Sequence, residues 1–296
     1  MNYYNEIKTE LINNEITKRV KDYSKNRSDL NTYYNVGKLL SEAGKHYGEG
    51  IIKEYSDRLS SELNIKYSVR TLYKIIKYFN YMNKQKVPTV SAKLSWSHYD
   101  ELLKLTDENI INYYIKISEE QNLSVRELRK KIKSNEYERL DEETKKKLKT
   151  KEELKVPDLV KNPIQIKNTS GNNEISEKIL QKLILEDISS FLKELGSGFS
   201  FIDNEYKIKM GDRYNYIDLL LYNIKYKCYV VVELKVTELN SNHTGQIQKY
   251  MNYIDKNIKS IDDNKTVGII ICKKENKYVI EYCSDDRIIS REYELV

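Results

Sequence analysis

Two acidic residues and a lysine lie in neighbouring apolar segments whose pattern is typical of β-strands. Asp218 lies in the segment YNYIDLLLY, and Glu233 and Lys235 lie in CYVVVELKV. Because side chains two apart on a strand point to the same face, Glu233 and Lys235 are expected to project together. Residues 223–226 are few enough to form a hairpin loop, which would bring Asp218 close to Glu233.

A charged side chain inside an apolar strand is costly unless it is paired or binds a metal ion. Two neighbouring carboxylates suit Mg²⁺, or Mn²⁺ in its place, because these ions prefer oxygen ligands. Such an ion polarises a phosphoryl oxygen and activates water, while a lysine positions that water and offsets charge in the transition state. A structural ion pair, or edge-strand charges that block aggregation, is the alternative. An Asp and a Glu-x-Lys on one predicted hairpin favour the metal-dependent phosphodiesterase.

The segments around these residues follow an α/β order. Residues 175–195 are predicted to form one long amphipathic helix, and a later helix carries Ile247, Tyr250 and Ile254 on its apolar face. A mixed central sheet flanked by helices is therefore the expected architecture. Five apolar or alternating runs are the predicted strands: residues 199–208, 214–222, 227–236, 266–272 and 278–282.

The first half of the chain is helical in pattern and carries the basic surplus. Residues 1–150 contain 29 Lys and Arg against 22 Asp and Glu, whereas residues 151–296 contain 22 against 23. This asymmetry suits a phosphate-binding module joined to a module with acidic chemistry. A charge run at 141–155, followed by two prolines and an asparagine cluster, indicates the boundary between two domains, residues 1–155 and residues 156–296.

One basic segment in the helical half is typical of a helix-turn-helix unit. Residues 66–86 contain five Lys, one Arg and no acid, with Ser68 as the predicted N-cap of the second helix. Three later helices are expected to be capped by Ser97, Asp107 and Ser124, in that order along the chain. Basic faces also occur on protein-binding and solvated helices. On the nucleic-acid interpretation, the second helix would present Arg70, Thr71, Lys74 and Lys77.

The composition argues against several other classes of protein. Three cysteines without a CxxC pair and three histidines favour neither a disulfide framework nor a zinc site of the usual spacing. The first residues lack the apolar run of a signal peptide, and no stretch approaches the roughly 18 apolar residues of a membrane span. A soluble, cytoplasmic protein without membrane contact is therefore expected.

Taken together, these motifs resemble one nuclease family. Asp218 followed by Glu233-x-Lys235 resembles the PD-(D/E)xK nuclease superfamily, and the wider pattern resembles the YhcG-type nucleases of bacteria. Ile217 stands where the superfamily's name has Pro, a residue that is often missing. The resemblance covers nearly the whole chain and rests on residues 94–98, 124–128, 192–199, 216–219, 233–235 and 245–250.

The resemblance implies a restriction-endonuclease-like core and a set of site residues. Asp218 and Glu233 would be metal ligands, and Lys235 the catalytic lysine. Gln246 would support the metal site or bind DNA, and Tyr250, one helical turn later, would contact the nucleic acid. An acid on the first helix of the core would lie near the metal; Glu186 is the first choice, with Glu177 and Asp187 as alternatives.

Three functions are open at this point. The leading one is a Mg²⁺-dependent DNA nuclease, acting in defence, repair or recombination. The second is a DNA-binding module whose nuclease-like domain does not cut, although it would have no need of all three residues Asp218, Glu233 and Lys235. The third is a structural partner that assembles through its long helices. Double-strand cleavage by such cores often needs two active sites, so a homo-oligomer is also expected.

Overall fold

The computed structural model describes residues 3–19, 25–48, 50–85, 94–150, 152–169, 175–283 and 285–296. The chain divides into two compact units, Met1–Ser134 and Asn135–Val296. Within the described ranges, no helix combines the length and the apolar character needed to cross a lipid bilayer.

The N-terminal unit is all helical, as the apolar spacing predicts. Serine and aspartate N-caps begin three of its helices: the backbone N–H of Thr71 donates to Ser68 Oγ at 3.2 Å, that of Asn109 to Asp107 Oδ1 at 2.7 Å, and that of Glu127 to Ser124 Oγ at 3.3 Å. The helix predicted to begin after Ser97 begins after Ser95 instead. The described helices are α1 (Tyr3–Arg19), α2 (Lys25–Tyr47), α3 (Gly50–Leu63), α4 (Val69–Gln85), α5 (Trp96–Leu102), α6 (Glu108–Glu120) and α7 (Val125–Lys133).

A buried glycine allows α2 and α4 to cross at close range. A Cβ atom built on Gly37 would lie 2.6 Å from the carbonyl oxygen of Ile75 and 2.6 Å from the Cβ of Phe79. Neither neighbour can swing away, because one is backbone and the other is a Cβ atom. The core formed by α1–α4 therefore depends on the absence of a side chain at this position.

Replacing Gly37 by alanine is expected to destabilise the N-terminal unit by about 1–3 kcal/mol, since the extra methyl group must push the two helices apart. Gly44 lies on the same helix, and a Cβ atom built there would meet no atom within 4 Å, so Gly44→Ala is the matched control. That control should be neutral or stabilising by up to about 1 kcal/mol. Urea unfolding followed by the fluorescence of Trp96, the single tryptophan, measures both. Equal stabilities of the two variants would contradict the close crossing.

The C-terminal unit is a mixed sheet with helices on both faces, as expected from the sequence. The sheet order is β1-β6-β5-β4-β3-β2, with β1, β6, β5 and β4 parallel and β4, β3 and β2 antiparallel. The described elements are α8 (Glu142–Thr150), α9 (Val156–Leu159), β1 (Ile164–Ile166), α10 (Glu177–Glu186), α11 (Ile188–Leu195), β2 (Phe199–Met210), β3 (Arg213–Asn223), β4 (Cys228–Glu238), α12 (Ser241–Asn257), β5 (Val267–Lys274), α13 (Lys277–Glu281) and β6 (Ile288–Leu295).

Each face of the sheet has its own apolar core. Helices α10 and α11 pack on one face, against Leu219, Val232 and Ile269 among others. Helix α12 packs on the opposite face, where Ile247 and Met251 lie against residues of β3, β4 and β5. Alternate residues of the central strands thus enter opposite cores, which explains why these strands are apolar throughout.

The structure differs from two of the predicted elements. The predicted single helix over 175–195 is two helices, because Asp187 breaks the helical conformation and accepts a hydrogen bond from the backbone N–H of Ser190 at 3.1 Å. The predicted strand over 278–282 is wrong, since these residues belong to the short helix α13. The strands that complete this edge of the sheet are β6 and β1, which were not predicted.

The segment from Asn135 to residue 155 belongs to the C-terminal unit, although the predicted boundary lies at its end. Arg139 pairs with Glu194 of α11. Arg291 of β6 is buried, and its guanidinium donates to Asp141 Oδ2 at 2.6 Å and to the carbonyl of Val160 at 2.9 Å. These pairs hold the charged segment against the sheet, where the sequence suggests a solvated linker.

Candidate active site

The candidate site lies where β3 and β4 stop pairing. The two strands are paired from Asn223↔Cys228 to Leu219↔Val232. Asp218 is the next residue on β3, and its Oδ2 accepts a hydrogen bond from the backbone N–H of Leu234 at 2.7 Å. The carboxylate takes the place of a backbone acceptor in the ladder, which fixes its position beside Glu233.

Glu233 and Lys235 lie together on β4, as their spacing predicts. Lys235 Nζ is 3.4 Å from Glu233 Oε2, and the two residues are only 8% and 1% exposed. The second carboxylate oxygen, Glu233 Oε1, is buried without a hydrogen-bond partner among the described residues. A buried acceptor without a donor is rare in folded proteins and calls for a bound group that satisfies it.

The raised pKa values of Asp218 and Glu233 show that this site favours a further positive charge. Burial, and to a smaller extent the charge of the neighbouring Asp218, raise the pKa of Glu233 to about 8 against the opposing charge of Lys235. Burial also raises the pKa of Asp218, against the hydrogen bond from Leu234 and the charge of Lys235. One lysine is therefore too little to keep both carboxylates ionised in this environment.

Helix α10 contributes its first turns to the site, through Glu177 rather than Glu186. The carboxylate of Glu177 is 3.8 Å from Lys235 Nζ, and Gln181 Nε2 donates to the backbone carbonyl of Asp218 at 3.1 Å. Glu186 lies about 13 Å further along the helix axis. It is exposed, and its carboxylate accepts from Thr169 Oγ1 at 2.5 Å.

The third alternative for the helix acid lies elsewhere too. Asp187 pairs with Lys167 and caps α11, which accounts for its lowered pKa. Of the three acids weighed from the sequence, the structure brings only Glu177 into contact with Lys235. The helical spacing of Glu177 and Gln181, one turn apart on the same face, is the signal that sequence reasoning missed.

Helix α12, which packs on the sheet face opposite to α10, carries the predicted site residues Gln246 and Tyr250. Gln246 Nε2 donates to the hydroxyl of Tyr250 at 3.1 Å. Tyr250 is 6% exposed and packs in the apolar core with Ile247 and Met251. Burial raises its pKa, and the charges of Glu233 and Asp218 raise it further. The Tyr250 ring is thus part of the apolar core beside the site, and it is too buried to stack against a nucleic-acid strand.

His243, in the first turn of α12, is near Lys235 but is held by the N-cap residue of the helix. Asn240 Nδ2 lies 3.1 Å from His243 Nε2, and the backbone N–H of Asn240 donates to His243 Nδ1 at 3.3 Å. Burial lowers the pKa of His243, and the charge of Lys235 lowers it further. Through these contacts the imidazole of His243 takes part in the N-cap of α12.

Four of the five residues predicted to contact nucleic acid lie on α4 in the N-terminal unit, and the fifth is Tyr250. Lys74 pairs with Asp100, Lys77 donates to the backbone carbonyl of Leu103, and Thr71 Oγ1 is 2.9 Å from Ser68 Oγ within the N-cap. Arg70 is exposed. Lys74 and Lys77 therefore serve to join α4 to the α5 region, and the helix-turn-helix role of this surface stays a prediction.

Both halves of the chain match known families. Residues 157–295 match the YhcG PDDEXK nuclease domain, and residues 9–139 match the DUF1016 N-terminal domain. The chain therefore combines a DUF1016 N-terminal domain with a nuclease domain of the YhcG PDDEXK family. The resemblance drawn from the sequence motifs is confirmed, as is the expected order of a helical domain followed by a restriction-endonuclease-like α/β core.

One curated relative is the protein named "Putative nuclease YhcG" of Escherichia coli (strain K12). It is 24% identical over 219 residues, which are 70% of this chain and 58% of that protein. Two solved structures are also similar, each over about half of its own length. A repair endonuclease from Pyrococcus abyssi is 18% identical over 43% of this chain, with a TM-score of 0.30. The EndoMS-dsDNA2 complex is 17% identical over 44% of this chain, also with a TM-score of 0.30.

Proposed function

We propose that this protein is a metal-dependent nuclease that hydrolyses phosphodiester bonds in DNA. The observation that supports this most directly is the buried oxygen Oε1 of Glu233, which has no partner among the described residues and lies beside a second carboxylate and a lysine. The ion pair with Lys235 engages Glu233 Oε2 and leaves Oε1 unsatisfied, whereas a bound cation would satisfy it.

The residues present fit a divalent metal ion with oxygen ligands. Among the described residues, no group of three or more His, Cys, Asp or Glu side chains is arranged to hold a metal. Asp218 and Glu233 would therefore hold the ion with water, which is how Mg²⁺ is usually bound, and Mn²⁺ accepts the same ligands. When bound, the ion supplies Lewis-acid polarisation of the phosphoryl oxygen and lowers the pKa of a coordinated water.

The side chains of the site have separate tasks in the reaction. Lys235, beside Glu233 and within 3.8 Å of Glu177, donates hydrogen bonds to the attacking water and to the phosphoryl oxygens. The oxygen of that water bonds to phosphorus as the water loses a proton to solvent. The bond from phosphorus to the leaving oxygen breaks, and the leaving oxygen takes up a proton from solvent. Asp218 is held by the Leu234 N–H, so its carboxylate needs no reorganisation during the step.

Cleavage of a panel of labelled nucleic acids tests this function. The panel contains linear duplex, single strand, branched junction, supercoiled plasmid and one RNA, each with Mg²⁺, Mn²⁺ or EDTA. We expect cutting of DNA with either metal and none in EDTA. A folded protein that binds DNA but cuts nothing with any metal would overturn the proposal and leave the non-cutting DNA-binding module. Preferential cutting of the junction would favour a role in repair or recombination over defence.

A further inference from the structure

The strands β2 and β3 extend beyond the rest of the sheet as a two-stranded arm. β3 pairs with β4 only over its last five residues, from Leu219 to Asn223, whereas its pairing with β2 continues to Met210↔Arg213. The arm, residues 206–217, thus has no third strand in the described sheet. It begins directly at Asp218 of the proposed active site.

The two faces of the arm differ in character. One face is apolar: Ile208 and Ile217 are 1% and 0% exposed and belong to the core around α12. The opposite face carries two cross-strand pairs, Lys207↔Tyr216 and Lys209↔Tyr214. We refer to these four residues as the tyrosine-lysine face.

The tyrosine-lysine face exposes aromatic rings together with positive charge. Tyr214 and Tyr216 are 55% and 51% exposed. Lys207 Nζ lies 3.9 Å from the centre of the Tyr214 ring, and Lys209 Nζ lies 5.9 Å from it. None of the four residues is acidic. Exposed rings flanked by ammonium groups suit a ligand that has both flat apolar surfaces and negative charge.

We propose that the tyrosine-lysine face binds unpaired nucleotides next to the phosphodiester that the enzyme cleaves. Tyrosine rings stack on bases, and lysines neutralise the flanking phosphates. In a duplex the faces of the bases are covered by their neighbours, so stacking on Tyr214 and Tyr216 needs bases that are not paired. The inference rests on the proposed nuclease function and narrows it to DNA that contains a single-stranded stretch.

The position of the arm relative to Asp218 agrees with this role. Tyr216 and Tyr214 precede Asp218 by two and four residues, which are about 7 and 13 Å along an extended strand. Those spacings correspond to the first and second nucleotides beside a phosphate held at Asp218. Nucleotides stacked there would hold the strand in register with the cleaved bond.

Binding without cleavage tests the proposal. Fluorescence anisotropy in EDTA measures the affinity of the full-length protein for labelled oligo(dT) and for a duplex of equal length. The double variant Tyr214→Ala, Tyr216→Ala should bind oligo(dT) at least about tenfold more weakly, while its affinity for duplex changes less than about threefold. The double variant Tyr214→Phe, Tyr216→Phe keeps the rings and is the matched control, expected to bind as the wild type does.

Several outcomes would overturn the proposal. Wild-type affinity of the alanine variant for oligo(dT) would do so, and so would an equal loss for oligo(dT) and duplex. Thermal unfolding of each variant checks that the fold is intact, and both tyrosines are more than half exposed, so their replacement leaves the core unchanged. Because EDTA prevents metal-dependent cutting, this result is independent of the cleavage panel, and the two proposals can fail separately.

Discussion

Lys235→Met should reduce the rate of DNA cleavage by at least about 10²–10³-fold, the usual cost of removing one preorganised charge-stabilising donor from an active site. Lys235 is 8% exposed and lies between Glu233 and Glu177, so its ammonium group is held within the site. Methionine keeps the unbranched apolar stem and removes only the ammonium group. Single-turnover cleavage of the best substrate from the panel measures the effect on the chemical step.

Two further variants make this result specific. Lys227 is exposed at the other end of β4, about 26 Å away along the strand, so Lys227→Met should cut at the wild-type rate. Lys235→Arg keeps the charge but replaces a compact ammonium by a rigid planar fork, and should recover little activity. Cleavage by Lys235→Met within tenfold of wild type would show that this lysine is not part of the catalytic machinery.

The central part of the site could be predicted because it depends on local rules. Strand alternation places Glu233 and Lys235 on one face, and the short loop at 223–226 brings Asp218 opposite them. Both rules act over a few residues and need no knowledge of the rest of the chain. The hydrogen bond from Leu234 to Asp218 follows from the same pairing, since it continues the ladder by one step.

The helix acid could not be predicted with the same rules. Whether Glu177 or Glu186 reaches Lys235 depends on where α10 crosses the sheet, which is set by packing of Leu180, Leu183 and Ile184 in the core. The break at Asp187 also decides how far the helix runs. Such features depend on contacts between segments distant in sequence, and apolar periodicity does not report them.

The edge of the sheet was missed for a related reason. Residues 278–282 are rich in aromatic and β-branched residues, as strands are, yet they form the end of α13 and its C-cap, while the pairing strand β6 begins at Ile288. β1 has only three residues, too few for a pattern. The charge run that precedes β1 is polar enough to suggest a linker. The hydrogen bond from Arg291 of β6 to Asp141 nevertheless holds this segment against the sheet. Tertiary ion pairs override composition here.

Glu233 links the proposed catalysis to the stability of the fold. A carboxylate buried beside another carboxylate favours the binding of a metal ion, and in the metal-free protein its ionisation lowers the free energy of unfolding. In EDTA, the free energy of unfolding of the C-terminal unit should fall as pH rises from about 5 to 8. The pKa of Glu233 is about 8 in the folded protein against an ordinary 4.5. Between these values the unfolded chain has lost the proton and the folded chain keeps it, so stability declines by up to about 1.4 kcal/mol per pH unit.

The variant Glu233→Gln isolates this effect. It cannot ionise, so its stability should decline much less over the same range, although the raised pKa of Asp218 leaves a residual slope of the same sign. His243, whose pKa is lowered, contributes a slope of the opposite sign near neutral pH, and it is present in both proteins and cancels from their difference. Hydrogen exchange of the β4 and β5 amides, corrected for the intrinsic rate, reports the stability of this unit alone.

Saturating Mg²⁺ should cancel the decline in the wild type, so that its stability becomes nearly level between about pH 5 and 8, and should leave the glutamine variant unchanged. The ion competes with the proton on Glu233, so its affinity should rise about tenfold per pH unit up to about pH 8 and then level off. Binding to the folded state alone adds stability in proportion to the logarithm of concentration over Kd, so the gain is larger at high pH. Parallel pH profiles of wild type and Glu233→Gln, with and without Mg²⁺, would show that Glu233 is neither the strained acid nor a metal ligand. A wild-type profile that declines in EDTA and is level in Mg²⁺, beside a variant that does not respond to Mg²⁺, would have one meaning. The buried carboxylate that lowers the stability of the metal-free protein would be the one that holds the ion.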